Sequence, residues 1–124
     1  MPKPTLLIVD DNAQNLYLAR FLLERSGYEI CEAHNGQEAV AVAQTQRPAL
    51  VLMDIQMPGM DGLEATRQIK AGMAAPLVVA LTAKVMAGDR EAILAAGCDG
   101  YIQKPIDPDS FVSEVETYLQ DVEV

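Results

Sequence analysis

The feature that most constrains the fold is a set of short, continuous apolar runs that recur along the chain with helix-like segments between them. Strands of this composition are buried on both faces, which is typical of a parallel sheet covered by helices. All strands of a parallel sheet end at the same edge, so the residues that follow the runs would meet in one crevice. These are runs 6–9 before Asp10 and Asp11, 49–53 before Asp54, 77–81 before Thr82, and 100–102 shortly before Lys104.

The alternation of these runs with amphipathic segments predicts a doubly wound α/β fold made of five βα units. A chain of 124 residues is near the commonest size of one domain, so we expect a single domain over 1–124 and no output domain after it. Capping signals support the helix ends: Gly27 and Gly97 follow helices, and Asn35 and Asp107 precede them. The expected strands are about 5–10, 28–33, 49–53, 77–81 and 100–103, and the expected helices about 12–26, 35–46, 62–71, 87–96 and 108–121.

The net charge of −9 argues against a nucleic-acid partner, because phosphate backbones would be repelled. No apolar stretch approaches the length needed to cross a membrane, and no signal peptide is recognisable, so we expect a cytoplasmic protein without membrane contact. Cys31 and Cys98 lack the spacing of a zinc site or a redox motif. We interpret them as small buried residues of a reduced protein.

Three carboxylates at one sheet edge, from Asp10, Asp11 and Asp54, would repel one another unless a cation compensates them. A hard divalent ion with oxygen ligands fits such a cluster, and Mg²⁺ fits best. The alternative is that Asp10 and Asp11 only cap the first helix, which is an ordinary role for Asp. The presence of Asp54 at the end of a neighbouring strand favours the metal site.

The same cluster suggests phosphoryl chemistry, since a carboxylate such as that of Asp54 can attack phosphorus and form an aspartyl phosphate. The Lys104 ammonium and the Thr82 hydroxyl could then neutralise or hydrogen-bond phosphoryl oxygens. We interpret Asp61 as the cap of the third helix and His34, the one histidine, as an incidental surface residue.

These residues together resemble the receiver domain of bacterial two-component response regulators over nearly the whole chain. The resemblance rests on the pair Asp10-Asp11, on Asp54 within the segment 52–62, on Thr82-Ala83 and on Lys104-Pro105. It implies a flavodoxin-like fold, a five-stranded parallel sheet of order 2-1-3-4-5. It also implies a stand-alone form similar to the chemotaxis regulator.

The resemblance implies that Asp54 accepts a phosphoryl group from a phosphohistidine of a histidine kinase or of a histidine phosphotransfer protein. It further implies that Mg²⁺ is bound by Asp11, Asp54 and the backbone carbonyl of Gln56, with Asp10 acting largely through water. Lys104 would pair with the phosphoryl group. The protein would be a signalling switch that catalyses its own phosphorylation and dephosphorylation.

The resemblance also implies a switch in which Thr82 moves toward the phosphoryl group and Tyr101 turns inward. This movement would alter a surface made by the fourth helix, the fifth strand and the fifth helix, where a downstream protein binds. Gln56 and Lys84, each two residues beyond a site residue, would tune the rate of hydrolysis.

Three other classes of protein compete with this interpretation. A phosphohydrolase of the haloacid-dehalogenase type also uses Asp, Thr, Lys and Mg²⁺, but it needs a D-x-D motif where this chain has Asp10-Asp11-Asn12. A flavin-binding module would need a Ser/Thr/Gly-rich phosphate loop after the first strand. A pseudo-receiver that is never phosphorylated is disfavoured because every expected site residue is present.

Overall fold

The structure is a computed structural model that describes residues 3–56, 61–72, 75–83 and 88–120. Within those ranges five strands alternate with five helices, as the sequence predicts. The elements in chain order are β1 Thr5–Val9, α1 Ala13–Arg25, β2 Glu29–Ala33, α2 Gly36–Gln46, β3 Leu50–Asp54, α3 Gly62–Lys70, β4 Leu77–Thr82, α4 Asp89–Ala95, β5 Gly100–Gln103 and α5 Phe111–Gln120.

The five strands form one parallel sheet of order β2-β1-β3-β4-β5, which confirms the flavodoxin-like topology. The strand order reverses between β1 and β3, and this switch point is where α/β sheets commonly bind ligands. The register places Asp54 beside Leu81 of β4, and Thr82 beside Gln103 of β5. The ends of β1, β3, β4 and β5 therefore lie side by side at one edge.

Two hydrophobic clusters, one on each face of the sheet, explain why the strands are apolar throughout. In β1, Leu7 and Val9 belong to one cluster, whereas Leu6 and Ile8 belong to the other. All four side chains are buried, because successive residues of a strand point to opposite faces. Both faces therefore need apolar residues.

Helix α5 covers one of these faces with an apolar stripe. Phe111 and Val115 are fully buried, and Tyr118 and Leu119 pack against the same cluster with part of their surface exposed. Both cysteines are free; Cys98 is buried and Cys31 is half-buried. Among the described residues, no helix has the length and apolar character that crossing a membrane requires.

The helix ends follow the predicted caps. Gly27 (φ +100°) and Gly97 (φ +105°) have the left-handed backbone conformation that commonly ends a helix. The Asn35 side chain accepts a hydrogen bond from the Glu38 backbone N–H at 2.8 Å, and so caps α2. Asp61 caps α3 in the same way, through the backbone N–H of a residue three positions later, at 2.8 Å.

Helix α1 begins within one residue of the predicted start, whereas helix α5 begins three residues later than predicted. The cap of α1 is Asn12, whose side chain accepts hydrogen bonds from the backbone N–H groups of the second and third helical residues at 2.9 and 3.0 Å. The side chains of Asp10 and Asp11 are therefore not needed to cap this helix. Helix α5 begins at Phe111 instead of residue 108. Asp107 begins a turn that leads into the helix: its side chain accepts the Asp109 N–H at 3.0 Å, and its carbonyl accepts the Phe111 N–H at 2.9 Å.

Candidate active site

Three carboxylates lie together where β1 and β3 end. Asp10, Asp11 and Asp54 each offer an oxygen atom, and these atoms lie within 4.8 Å of one another. Asp10 is 1% and Asp54 4% exposed, whereas Asp11 is exposed to solvent. Two of the three carboxylate residues are thus buried and one is open to water. Such a site suits Mg²⁺, which binds through one or two carboxylates and keeps several water ligands.

Each buried carboxylate is oriented by the turn that follows its own strand. Asp10 Oδ1 accepts a hydrogen bond from the backbone N–H of Asn12 at 2.9 Å. Asp54 Oδ1 accepts one from the backbone N–H of Gln56 at 3.0 Å. In both residues the other oxygen, Oδ2, pairs with the ammonium of Lys104.

Lys104 supplies the positive charge at the centre of the crevice. Its Nζ lies 2.9 Å from Asp10 Oδ2 and 3.3 Å from Asp54 Oδ2. The Lys104 backbone N–H donates to the Thr82 carbonyl at 2.7 Å, and the peptide bond between Lys104 and Pro105 is cis. One lysine therefore bridges the two buried carboxylates.

The surroundings shift the pKa values of both partners. Burial works against the charged ammonium of Lys104, but the hydrogen bond and the attraction of Asp10, together with Asp54, outweigh it and raise the pKa of Lys104. Burial also raises the pKa of Asp54, and the nearby negative charge of Asp10 adds to this. The Gln56 N–H and the Lys104 ammonium oppose that rise in the pKa of Asp54 without cancelling it.

Thr82 and Tyr101 lie on the strands beyond β3. Thr82 is the last residue of β4 and is 1% exposed. Tyr101 lies on β5, half-buried against the cluster that contains Ile93, and its carbonyl accepts a hydrogen bond from Tyr118 Oη at 3.2 Å. Thr82 thus shares the edge of the carboxylates, whereas Tyr101 lies three residues before Lys104.

Three other residues that the sequence analysis named are Gln56, Lys84 and His34. Gln56 directs its backbone N–H to Asp54. Lys84 and the part of the turn at 57–60 lie outside the described residues. His34 is exposed and pairs with Glu38 at 3.1 Å, as an incidental surface histidine would.

Asn12 is the structural residue that the sequence interpretation missed. It fixes the start of α1 and donates its backbone N–H to Asp10, so it helps to orient a buried carboxylate. An Asn immediately before an amphipathic segment is a recognised helix-start signal. The two aspartates before it obscured that signal.

An α/β sheet of this order, with an acidic cluster and a lysine at its carboxyl edge, defines a receiver-type module. The family model for the response regulator receiver domain matches residues 6–116, and the chain belongs to that family. The membership assigns the chain to the response regulators of two-component phosphorelay signalling. The phosphohydrolase and flavin-module hypotheses concern other families and are set aside.

Individual relatives agree with this assignment. The chain is 45% identical over 123 residues to the polar-differentiation response regulator DivK of Brucella anthropi, covering 98% of this chain and 99% of that protein. It is 42% identical over 119 residues to DivK of Brucella ovis, covering 94% of this chain and 97% of that protein.

Solved structures share the fold at lower identity. The chemotaxis protein CheY4 of Vibrio cholerae superposes with a TM-score of 0.87 at 26% identity, covering 91% of this chain and 96% of that chain. The signal receiver domain of a histidine kinase from Syntrophus aciditrophicus gives a TM-score of 0.86 at 31% identity, covering 97% of this chain and 92% of that chain.

Proposed function

We propose that this chain is a phosphorylation-dependent signalling switch in which Asp54 is the phosphoryl acceptor. The donor is a phosphohistidine of a histidine kinase or of a histidine phosphotransfer protein. The observation that carries the proposal is the position of Lys104, whose Nζ lies 3.3 Å from Asp54 Oδ2 within a cluster of three carboxylates. Family membership supports this role.

The reaction transfers the phosphoryl group from nitrogen to oxygen. An Asp54 carboxylate oxygen forms a bond to phosphorus as the P–N bond of the phosphohistidine breaks, and the bonding electrons leave with the imidazole, which takes a proton from water. Later hydrolysis of the aspartyl phosphate by water releases inorganic phosphate and restores the carboxylate. The protein is therefore changed by the chemistry that it catalyses on itself.

The described residues fit the charges that this reaction creates. Asp11, Asp54 and the Gln56 backbone carbonyl would hold Mg²⁺, with Asp10 acting through water, and the bound ion supplies positive charge to the phosphoryl oxygens. Lys104 loses its pairing with Asp54 when that carboxylate becomes an acyl phosphate. Its ammonium then pairs with a phosphoryl oxygen, which is a charge-assisted contact.

The switch would operate through Thr82 and Tyr101. A phosphoryl group adds about 1.5–2 negative charges, and the Thr82 hydroxyl would move to donate to it. Tyr101 would turn inward as Thr82 moves, altering the surface of α4, β5 and α5 that binds a downstream protein. Gln56 and Lys84 would set the lifetime of the acyl phosphate.

The location and the partners follow from the same role. A cytoplasmic protein with a net charge of −9 would meet kinases and protein targets, and it would be repelled by nucleic acid. We assign residues 1–124 the part of one receiver domain in this signalling.

The test is the intact mass after incubation with acetyl phosphate, in Mg²⁺ and in chelator. We expect one added phosphoryl group in the wild type with Mg²⁺ and none in Asp54→Asn. The matched control is Asp61→Asn, which keeps a side chain able to cap α3 and should be labelled like the wild type. Labelling of Asp54→Asn at another residue would refute the acceptor assignment, and absence of any labelling from kinase or acetyl phosphate would favour a pseudo-receiver.

A further inference from the structure

Gly62, the first residue of α3, lies directly against the backbone of Asp54. A Cβ atom added to Gly62 would lie 2.4 Å from the Asp54 carbonyl oxygen and 2.6 Å from the Ile55 Cα. Ordinary van der Waals contact for a Cβ begins near 3.4 Å, so one methyl group would force a separation of about 1 Å. The atoms it would meet are backbone atoms, and no side chain can rotate away to make room.

Both sides of this contact are held in place. The Ile55 N–H donates to the carbonyl of Leu81 at 3.3 Å, which ties the residue after Asp54 to β4. On the other side, Thr66 is fully buried and its Oγ1 donates to the Gly62 carbonyl at 2.7 Å. A displacement at Gly62 would therefore be passed to the end of β3.

We propose that Gly62 is a positioning residue for the phosphoryl acceptor. Because it has no side chain, the start of α3 can rest on the Asp54 peptide and set the direction in which the Asp54 carboxylate leaves β3. This inference rests on the proposed function, in which Asp54 must be in line with the phosphohistidine. Misplacement of a reacting group by about 1 Å can slow a reaction about 10²-fold.

Intrinsic helix propensity predicts the opposite effect of the same substitution. Alanine is the better helix former, so Gly62→Ala would stabilise α3 if the site had room for a methyl group. A loss of function in this variant would therefore come from the close approach to Asp54 and not from a weaker helix.

The experiment compares Gly62→Ala with Gly97→Ala, a matched control. Gly97 has a φ of +105°, so alanine is strained there, but it precedes β5 at the opposite edge of the sheet. Two quantities are measured per folded molecule: the rate of labelling by acetyl phosphate at saturating Mg²⁺, and the Mg²⁺ dissociation constant without a phosphoryl donor. Circular dichroism gives the folded fraction.

We expect labelling of Gly62→Ala to be slower by about 10²-fold and its Mg²⁺ binding to be weaker, with Gly97→Ala within about threefold of the wild type in both. Wild-type rates and affinity in Gly62→Ala, or an equal loss in Gly97→Ala, would overturn the inference. Failure of the wild type to be labelled by either acetyl phosphate or a kinase would instead refute the proposed function, and the Mg²⁺ measurement would still test Gly62.

Hydrogen exchange of the wild type tests the inference even if Gly62→Ala does not fold. The backbone amides of Ile55 and Gln56 should open with the same free energy and the same denaturant dependence as those of Ala65 and Thr66 in α3. Such a result would mean that the Asp54 turn and the start of α3 open as one unit. Exchange of the two segments with different free energies would overturn the inference.

Discussion

Removal of the charge of Lys104 should destabilise the protein strongly, by an amount that Mg²⁺ reduces. In Lys104→Met, Asp10 and Asp54, which are 1% and 4% exposed in the wild type, lose the ammonium between their carboxylates. Removing one partner of a buried ion pair costs about 3–5 kcal/mol. The Lys104 side chain is 17% exposed, so water reaches the site and we expect about 3 kcal/mol in chelator at pH 7.

The pH dependence of this loss follows from the pKa of Asp54. Burial already raises that pKa and Lys104 lowers it, so the substitution raises the pKa of Asp54 further. A carboxyl group whose pKa is higher in the folded state than in the unfolded state disfavours folding when it is ionised. The difference between the variant and the wild type should therefore be largest at pH 7 and shrink as the pH falls toward about 4.

The assay is urea unfolding of both proteins with and without Mg²⁺, and Lys70→Met is the matched control. Lys70 Nζ lies 2.9 Å from Asp99 Oδ2, but its side chain is 25% exposed and that of Asp99 33%, so we expect a loss of about 1 kcal/mol that is insensitive to Mg²⁺. Mg²⁺ should stabilise Lys104→Met more than the wild type, because the variant lacks a competing cation. Equal stabilisation of the two by Mg²⁺, or a loss below about 1 kcal/mol in chelator, would refute the electrostatic account.

Three further predictions concern the stability of the fold that carries the site. Phe111→Ala should lower the free energy of unfolding by about 3–5 kcal/mol in urea titrations, because Phe111 is fully buried. Asp61→Ala should lower the free energy of unfolding by about 1 kcal/mol, because the substitution removes the cap of α3. Asp61→Asn should cost much less, because asparagine can cap a helix as well. Burial and the 2.7 Å hydrogen bond to Glu116 raise the pKa of Tyr28, so the stability that this phenol supplies is present below pH about 10 and is lost as the pH rises beyond it. Tyr28→Phe should therefore lose stability less steeply above pH 10, and an unchanged slope would show that Tyr28 is not responsible.

The topology was predictable because the relevant signal is local and strong. A run such as Leu6–Val9 has no polar residue, so both faces of its strand must be covered, and only a parallel sheet with helices on both sides does this repeatedly. The meeting of Asp10, Asp11 and Asp54 then follows from the shared direction of parallel strands.

The details that the sequence did not predict are decided by competition between neighbours or by distant contacts. Asp10, Asp11 and Asn12 can each cap a helix, and only the path of the backbone selects Asn12. The turn that begins at Asp107 runs into α5, so the start predicted at residue 108 falls three residues early. The sequence places Lys104 at the same sheet edge as Asp10, but their direct pairing at 2.9 Å depends on how β1 and β5 are positioned across the sheet.

The long chain separation between Asp10 and Lys104 also bears on how the protein folds. Their side chains are joined by a hydrogen bond across 94 residues of sequence, so the three carboxylates are synthesised well before their lysine. Closing so long a loop carries an entropic cost that must be met before the contact forms, and contacts of this kind slow folding. Divalent ions bound by the three carboxylates should favour every state in which β1 and β3 are paired, whether or not β5 has docked. The ion pair between Asp10 and Lys104 is thus complete only when both β1 and β5 are in place in the sheet.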